Sequence, residues 1–366
     1  MDVIMGGASR RTPRLIPVLA VLLLVLALAA GALYIGGRPN PQPVVVPSAS
    51  PTATVATTPT ILPSEAPTPS PLADATTTLP YRVIEIIVGD DAMWASVSGE
   101  TSNELAHAIY RIDPTTSEAT LVVPELSSVV ASPIPFVQTE GSVWAAVDTN
   151  NILRFDSVTG EALGSTPVGT FPIEPLAGLG AVWSENYDDG TLTRIDPATG
   201  AVVATIVIPQ FAGQGPRDIA AGASLLWAIT PRQNTMVAID PATNTVVREV
   251  PLDDVLHCGV TVAAQRVWVE GCDAGDPTQV FDEATGALQG SYPGGMPVAD
   301  DGRFVWVPGG TDSTTLGKFD PVVLSSGLPI VDLGVRASYV TSGFGSIWYS
   351  DGPNLHRLGL ESLIAN

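Results

Sequence analysis

The sequence is poor in lysine, histidine and cysteine. Lys318 is its one lysine, and three histidines and two cysteines occur in 366 residues. Asp and Glu outnumber Lys and Arg by 37 to 16, which gives a formal net charge of −21 at pH 7. Nucleic-acid binding depends on clustered Lys and Arg that contact phosphates, so this composition excludes a general nucleic-acid-binding protein. We expect any charged partner to be a cation.

An uncharged apolar run covers residues 15–37. Its length of 23 residues exceeds the roughly 20 that a helix needs to cross a bilayer. Three arginines precede it, so residues 1–14 are predicted to be cytoplasmic and the rest of the chain extracellular. A cleaved signal peptide is the alternative, because the run contains two A-x-A sites. The run continues past both sites, so we predict an uncleaved, single-pass transmembrane anchor.

Residues 38–80 form a Pro/Thr/Ser-rich segment with 11 prolines. The segment has almost no aromatic residues and no periodic apolar pattern, so it cannot bury enough surface to offset the entropy lost on ordering. We therefore expect a disordered, extended linker that holds the following domain away from the membrane.

All seven tryptophans lie in residues 81–366, at spacings of 38 to 50 residues. Six of them are followed by an aspartate that closes a strand, as in "TRIDPATGA" and "VAIDPATNT". In these phrases the Asp side chain can accept hydrogen bonds from nearby backbone N–H groups, and the Gly or Asn four residues later tolerates a positive φ. Each phrase therefore predicts a tight turn between strands. Each repeat then has four short strands, a to d. The tryptophans are Trp94, Trp144, Trp183, Trp227, Trp268, Trp306 and Trp348.

Seven four-stranded repeats of about 40 residues predict an all-β fold, a seven-bladed β-propeller over residues 81–366. A linear stack of repeats is the alternative, but no capping repeat is visible. We expect the tryptophans to be structural residues that pack between blades. The seventh repeat has lost its aspartate, and two segments could supply its outer strand: residues 361–366, or residues 76–80 at the end of the linker.

The repeats "TLTRIDPATGAVVATIVIP" and "TMVAIDPATNTVVREVPL" resemble YVTN- and NHL-type propeller repeats. Residues 81–366 as a whole resemble the propeller superfamily that includes the virginiamycin B (streptogramin) lyases. This resemblance implies the fold, which hosts enzymes, sensors and binding proteins alike. For the lyase branch it implies histidine acid–base catalysis with bound magnesium. His257, at the start of an inner strand, and Glu270 of the same blade are the candidate catalytic residues, but no second histidine accompanies them.

The two cysteines, Cys258 and Cys272, flank the a–b hairpin of the fifth repeat. Residues placed symmetrically about a hairpin turn face each other across the two strands. In an exported protein we expect them to form a disulfide. A metal site shared with His257 is the alternative, but it would lack ligands.

A further pattern appears when the repeats are aligned on their tryptophans. The position nine residues earlier is Glu85, Glu174 or Asp218 in three repeats. It falls near the start of strand a, the innermost strand of a blade, at the mouth of the central channel. Three converging carboxylates repel one another unless a cation or a base is present, so they are candidate ligand- or cation-binding residues, with calcium or magnesium as candidate cofactors. Ion pairing with nearby arginines, or solvation, is the alternative. Other acids, including Glu185, are assigned to solvated b–c loops.

Together these features predict a membrane-anchored, extracytoplasmic propeller at a bacterial cell surface that binds a ligand or a protein partner. A streptogramin-lyase-like, metal-dependent enzyme and a purely structural envelope protein are the two alternatives. The shortage of histidine, and the lack of G-x-S-x-G, P-loop and H-E-x-x-H motifs, favours binding over catalysis.

Overall fold

The computed structural model describes residues 73–361, apart from 101–104, 127–133, 148, 212–214, 231–232, 274, 293, 301–303, 310–313 and 325–329. The predicted anchor and residues 38–72 of the predicted linker lie outside the described residues. Within the described part of the chain, no helix has the length and apolar character that a membrane span requires.

The described residues form seven antiparallel sheets of four strands each, which are the blades of a β-propeller. Strand β1 (Ala75–Thr78) precedes the first blade in sequence. Blade 1 contains β2 (Arg82–Val88), β3 (Met93–Glu100), β4 (Leu105–Ile112) and β5 (Ala119–Leu126). Blade 2 contains β6 (Phe136–Thr139), β7 (Ser142–Ala146), β8 (Asn151–Asp156) and β9 (Ala162–Pro167). Blade 3 contains β10 (Pro172–Gly178), β11 (Ala181–Asn186), β12 (Thr191–Ile195) and β13 (Val202–Val207), and a 3₁₀ turn at Pro209–Phe211 follows it.

The remaining blades repeat this order. Blade 4 contains β14 (Asp218–Ala221), β15 (Leu226–Ile229), β16 (Thr235–Asp240) and β17 (Thr245–Pro251). Blade 5 contains β18 (His257–Ala263), β19 (Arg266–Gly271), β20 (Thr278–Asp282) and β21 (Leu288–Tyr292). Blade 6 contains β22 (Ala299–Asp300), β23 (Val305–Gly309), β24 (Thr315–Phe319) and β25 (Ile330–Asp332). Blade 7 contains β26 (Val340–Gly343), β27 (Ser346–Asp351) and β28 (Asn354–Gly359).

Strand β1 supplies the outer strand of blade 7. It pairs antiparallel with β28, and the sheet order is β1-β28-β27-β26. Strand β2 of blade 1 packs against β26 and β27 of blade 7, so the blades form a closed ring. Of the two sources considered for this outer strand, the structure uses the end of the linker, at Ala75–Thr78.

Each blade tryptophan packs against the next blade. All seven are buried, with at most 1% of each side chain exposed. Trp94, for example, belongs to one core cluster with Phe136 and Val143 of blade 2, and Trp348 shares a cluster with Val83 of blade 1 across the ring closure. Since a buried indole removes a large apolar area from water, these contacts hold neighbouring blades together.

The aspartate phrases form the turns between strands c and d. In the phrase that begins at Asp196, the side chain accepts a hydrogen bond from Thr199 N–H (2.8 Å), and the turn ends at Gly200 with φ of 75°. Asn244 occupies the same left-handed position in blade 4, with φ of 56°. These positive φ values explain why Gly or Asn ends the phrase.

An arginine side chain links the tryptophan of one blade to the turn of the next. Arg154 Cζ lies 4.9 Å from the Trp144 ring centroid, and the guanidinium donates to Ser142 Oγ (2.9 Å) and to the Ala198 carbonyl of blade 3 (3.1 Å). The same arrangement occurs at three other blades. Arg194 lies over Trp183 and donates to the Pro241 carbonyl. Arg248 lies over Trp227 and donates to the Ala284 carbonyl, and Arg357 lies over Trp348 and donates to the Thr115 carbonyl.

Candidate functional site

The innermost strands of blades 1, 3 and 5 are irregular where they reach the channel. The register between β2 and β3 shifts at Ile84, that between β10 and β11 shifts at residues 173–174, and that between β18 and β19 shifts at Cys258. A β-bulge breaks the alternation of side chains between the two faces of a strand. Ile84 and Glu85, neighbours in sequence, therefore both line the channel mouth.

The starts of the innermost strands enclose a cavity of about 410 Å³. Residues from six of the seven blades line it, so it lies on the channel axis, and its volume is in the range typical of small-molecule sites. Of the seven residues that lie nine positions before a blade tryptophan, five line this cavity. The lining residues are Ile84, Glu85, Pro135, Phe171, Ile173, Glu174, Arg217, Asp218, Cys258 and Tyr339.

The three candidate carboxylates come together at this cavity. Asp218 is fixed by two backbone donors: Ile219 N–H donates to its Oδ1 (2.9 Å), and Val260 N–H of blade 5 donates to its Oδ2 (2.7 Å). Glu85 Oε2 is buried and has no hydrogen-bond partner among the residues that the structure describes. Glu174 is exposed on the cavity wall. Acids distant in sequence thus share one water-accessible site.

A fourth carboxylate, Glu185, lies behind the cavity wall. We assigned it to a solvated loop, and this assignment is wrong: Glu185 is part of β11, and its exposure is 0%. Neither carboxylate oxygen has a hydrogen-bond partner within the described part of the chain. Burial raises its pKa well above the ordinary value of 4.5, and repulsion from Asp218 and Glu174 raises it further. The charges of Asp218 and Glu174 therefore act on Glu185, although it does not line the cavity.

Burial also raises the pKa values of the carboxylates that line the cavity. Burial is the largest cause for Asp218, whose pKa rises to about 8, and repulsion from Glu174 is the next. The pKa of Glu85 rises well above 4.5 for the same two reasons. Burial raises the pKa of Glu174, which is water-accessible but surrounded by protein, and the Arg217 guanidinium partly offsets this rise. At neutral pH part of this acidic set is therefore protonated.

The nearby arginines do not neutralise these acids by direct pairing. Arg217 lines the cavity and lowers the pKa values of Glu174, Glu185 and Asp218 through its charge. However, among the described residues no arginine nitrogen forms an ion pair within 4.0 Å of a carboxylate of this site; the Arg111–Asp91 pair, at 3.0 Å, lies elsewhere. No direct ion pair therefore holds these acids in their ionised form.

The carboxylates are not arranged as a metal centre. Over the described ranges, no group of three or more His, Cys, Asp or Glu side chains is close enough together to hold a metal ion. Calcium and magnesium, the candidate cofactors, would need several oxygen ligands at about 2.0–2.6 Å. The site is therefore a cavity with separated charges, and the residues present do not fit a resident cation of this kind.

His257 does not face the cavity. Its side chain is buried, and Nε2 lies 3.0 Å from Asp253 Oδ1. The neighbouring Cys258, at the bulge, lines the cavity instead. Glu270 is directed toward Gly259 and Gly295, and its pKa is raised by burial and lowered by the Met296 N–H. The expected pairing of His257 with Glu270 in the channel therefore does not form.

Cys258 and Cys272 form a disulfide, as predicted. Their Cα atoms are 5.0 Å apart. Cys272 N–H also donates to the Leu256 carbonyl (2.8 Å), so the bond closes the open end of the a–b hairpin of blade 5. Because Cys258 lines the cavity, the disulfide fixes one part of the cavity wall.

Comparison with known proteins confirms the fold but does not identify a family. No family model and no curated protein matches the sequence. A chain of the crystal structure of the Mitotic Checkpoint Complex is similar, with a TM-score of 0.58 and 11% identity over 86% of this chain and 98% of that chain. The WD40 domain of Neurospora crassa Pan2 gives a TM-score of 0.47 and 13% identity over 59% of this chain and 71% of that chain. At such low identity, the first similarity shows the propeller fold alone.

Proposed function

We propose that this protein is a membrane-anchored, extracytoplasmic β-propeller of the YVTN/NHL type that binds a small ligand in the cavity at its channel mouth. A propeller is common to many binding and scaffold proteins, so the fold agrees with this role without specifying it. The cavity is the part of the molecule at which we propose that the ligand binds.

The observation that carries the proposal is the convergence of Glu85, Glu174 and Asp218 on one cavity of about 410 Å³. A purely structural channel gains nothing from this arrangement, because moving several carboxyl groups out of water and next to one another costs free energy. Apolar side chains such as Ile84 and Ile173 alternate with the acids on the cavity wall. Apolar walls with a few placed polar groups are typical of small-molecule sites.

The proposed anchor is supported by the apolar run at residues 15–37 and the proline-rich segment after it. The described chain begins immediately before β1, which is part of blade 7. A linker leading from a membrane would therefore join the ring directly at its closing strand. The disulfide agrees with an oxidising, extracytoplasmic compartment.

We favour binding over the lyase-like reaction because of His257. Acid–base catalysis requires the base to be within hydrogen-bond reach of the substrate. The His257 side chain is buried against Asp253, outside the set of residues that line the cavity.

The test uses the full-length protein in lipid nanodiscs and a library of small cationic, neutral and anionic compounds. Thermal unfolding identifies compounds that stabilise the parent; at a concentration of 100 Kd, a ligand adds about 2.7 kcal/mol. Ile173→Trp fills the cavity, whereas Val158→Trp places the same side chain at a position that is 82% exposed in blade 2. We expect stabilisation to be lost in Ile173→Trp and kept in Val158→Trp. Stabilisation that is equal in both variants, or no stabilising compound, would overturn the proposal.

A further inference from the structure

The cavity wall indicates which class of ligand it accepts. Three carboxylates line it, and Arg217 is the one basic side chain among its described lining residues. An anionic ligand would be repelled by each carboxyl group of the site that ionises, and it would raise the pKa values of the rest. A bare metal ion would find no cluster of ligands within the described residues and would leave most of the volume unfilled. A cation that carries an apolar body fits both the charges and the walls.

Two aromatic side chains strengthen this assignment. Phe171 and Tyr339 line the cavity from blades 3 and 7, on either side of Glu85 of blade 1 in the ring. Aromatic faces attract ammonium groups through the ring quadrupole, and this attraction increases when the site is shielded from water. An ammonium group could therefore contact carboxylates and aromatic rings in one cavity.

The buried Glu185 is an independent observation that points to a positively charged ligand. It is fully buried, and both of its oxygens lack hydrogen-bond partners among the described residues. The Ile219 N–H is near enough to lower the pKa of Glu185, but the hydrogen bond that it forms goes to Asp218 Oδ1 (2.9 Å). The charged groups that act on Glu185 are Glu174 from β10, and Asp218 and the adjacent Arg217 from the start of β14. Its cross-strand neighbour on β12 is the apolar Leu192.

We propose that the cavity binds a small organic ammonium ion, and that the Glu185–Asp218 acid pair releases a proton to solvent when this ligand binds. The inference rests on the proposed function of the cavity. In the balanced step, one carboxyl O–H bond of the pair breaks, the proton passes to water or buffer, and the new carboxylate charge is matched by the ammonium charge. No oxidant, reductant or covalent bond to the ligand is involved.

The raised pKa values of the pair support this exchange. With the Asp218 pKa at about 8 and the Glu185 pKa well above 4.5, the unliganded pair holds at least one proton at pH 7. A nearby positive charge favours the ionised form of a carboxyl group and lowers its pKa. Ligand affinity should therefore rise with pH between 6 and 8, by up to tenfold per pH unit for one released proton.

The experiment is calorimetric titration of the full-length protein in nanodiscs with phenethylammonium and tetramethylammonium. The matched probes are 2-phenylethanol, which is neutral, hydrocinnamate, which is anionic, and calcium chloride. Titrations at pH 6, 7 and 8, in buffers of different ionisation enthalpy, count the protons released. Glu185→Gln removes a titrating group without altering the cavity lining, and Glu161→Gln changes an exposed acid in blade 2 as the control.

We expect at least one ammonium probe to bind, to release a proton at pH 7, and to bind at least tenfold more tightly at pH 8 than at pH 6. Glu185→Gln should reduce the proton count and flatten the pH dependence, while Glu161→Gln should behave as the parent. The inference is overturned if neither ammonium ion binds, if either binds without proton release, or if the neutral, anionic or calcium probe binds more tightly. A neutral or anionic ligand that is lost in Ile173→Trp would keep the cavity as a binding site and overturn the ammonium assignment alone.

Discussion

Thr77 of β1 is paired with Leu355 of β28, near the opposite end of the chain. This pairing places the segment that follows the linker at the outer edge of the last blade. The Thr77 hydroxyl also donates to the Ser117 carbonyl of blade 1, so one residue joins blades 7 and 1. Ring closure therefore depends on a strand that precedes all the tryptophan repeats.

Thr77→Pro should weaken this closure. In the antiparallel ladder, Leu79 N–H donates to the Pro353 carbonyl, and by alternation Thr77 N–H points to β28 while Thr76 N–H points to solvent. Proline at position 77 removes a ladder donor, and we expect a loss of roughly 1–3 kcal/mol of unfolding free energy, measured by urea denaturation. Thr76→Pro is the control and should cost less, because an edge strand tolerates proline where its N–H faces solvent. Equal losses in the two variants would contradict the assigned register.

Arg154 should contribute to blade packing through both its charge and its donors. Arg154→Met keeps an apolar stem over Trp144 but removes the cation–π contact and the bonds to Ser142 and Ala198. We expect a loss of about 1–3 kcal/mol in chemical denaturation. Arg154→Lys keeps the cation but not the planar donor geometry, so it should lie between the parent and Arg154→Met. A Met variant as stable as the parent would show that the contact adds nothing measurable.

The disulfide should stabilise blade 5. The bridge joins residues separated by 14 positions, and for a loop of this size the Cys258→Ser, Cys272→Ser double variant should lose about 3 kcal/mol. Reductant should lower the melting temperature of the parent and leave that of the double variant unchanged. If reductant affects both proteins equally, the effect does not come from this bond.

Much of the fold could be predicted because the repeat carries its own markers. One tryptophan per blade gave the number of blades, and the aspartate phrases gave the c–d turns, including the left-handed positions at Gly200 and Asn244. The closing strand could not be chosen from sequence alone. Residues 76–80 have no tryptophan or aspartate marker, and their partner in β28 is fixed only when the ring forms.

The site could be predicted in part for a similar reason. Counting from the tryptophans found Glu85, Glu174 and Asp218, because the same position lines the cavity in five of the seven blades. Glu185 was missed because the end of β11 was taken for a loop; its place two residues after Trp183 was the available signal. His257 was misplaced because the adjacent bulge, which sequence does not show, sends Cys258 to the cavity instead.

The buried acids should give the protein an unusual dependence of stability on pH. The pKa of Glu185 in the folded state lies well above its ordinary value of 4.5. Between these two values the folded state binds more protons than the unfolded state, so the unfolding free energy falls as the pH rises, by up to about 1.4 kcal/mol per pH unit for each such group. The turn aspartates act in the opposite sense. Hydrogen bonds from backbone N–H groups lower the pKa of Asp156 and of Asp196, so stability is also lost as the pH falls below about 3.8.

Glu185→Gln separates these two effects. Glutamine keeps the shape of the side chain but does not ionise, so the fall in stability above pH 5 should become shallower, while the loss at acidic pH should be unchanged because the turns are intact. Thermal unfolding of the parent and the variant from pH 3 to pH 9 measures both sides of the profile. Glu161→Gln, in an exposed turn, should reproduce the parent profile. If the parent and Glu185→Gln have the same slope above pH 5, then Glu185 is not protonated in the folded protein, and the buried acid pair does not hold the proton assigned to it.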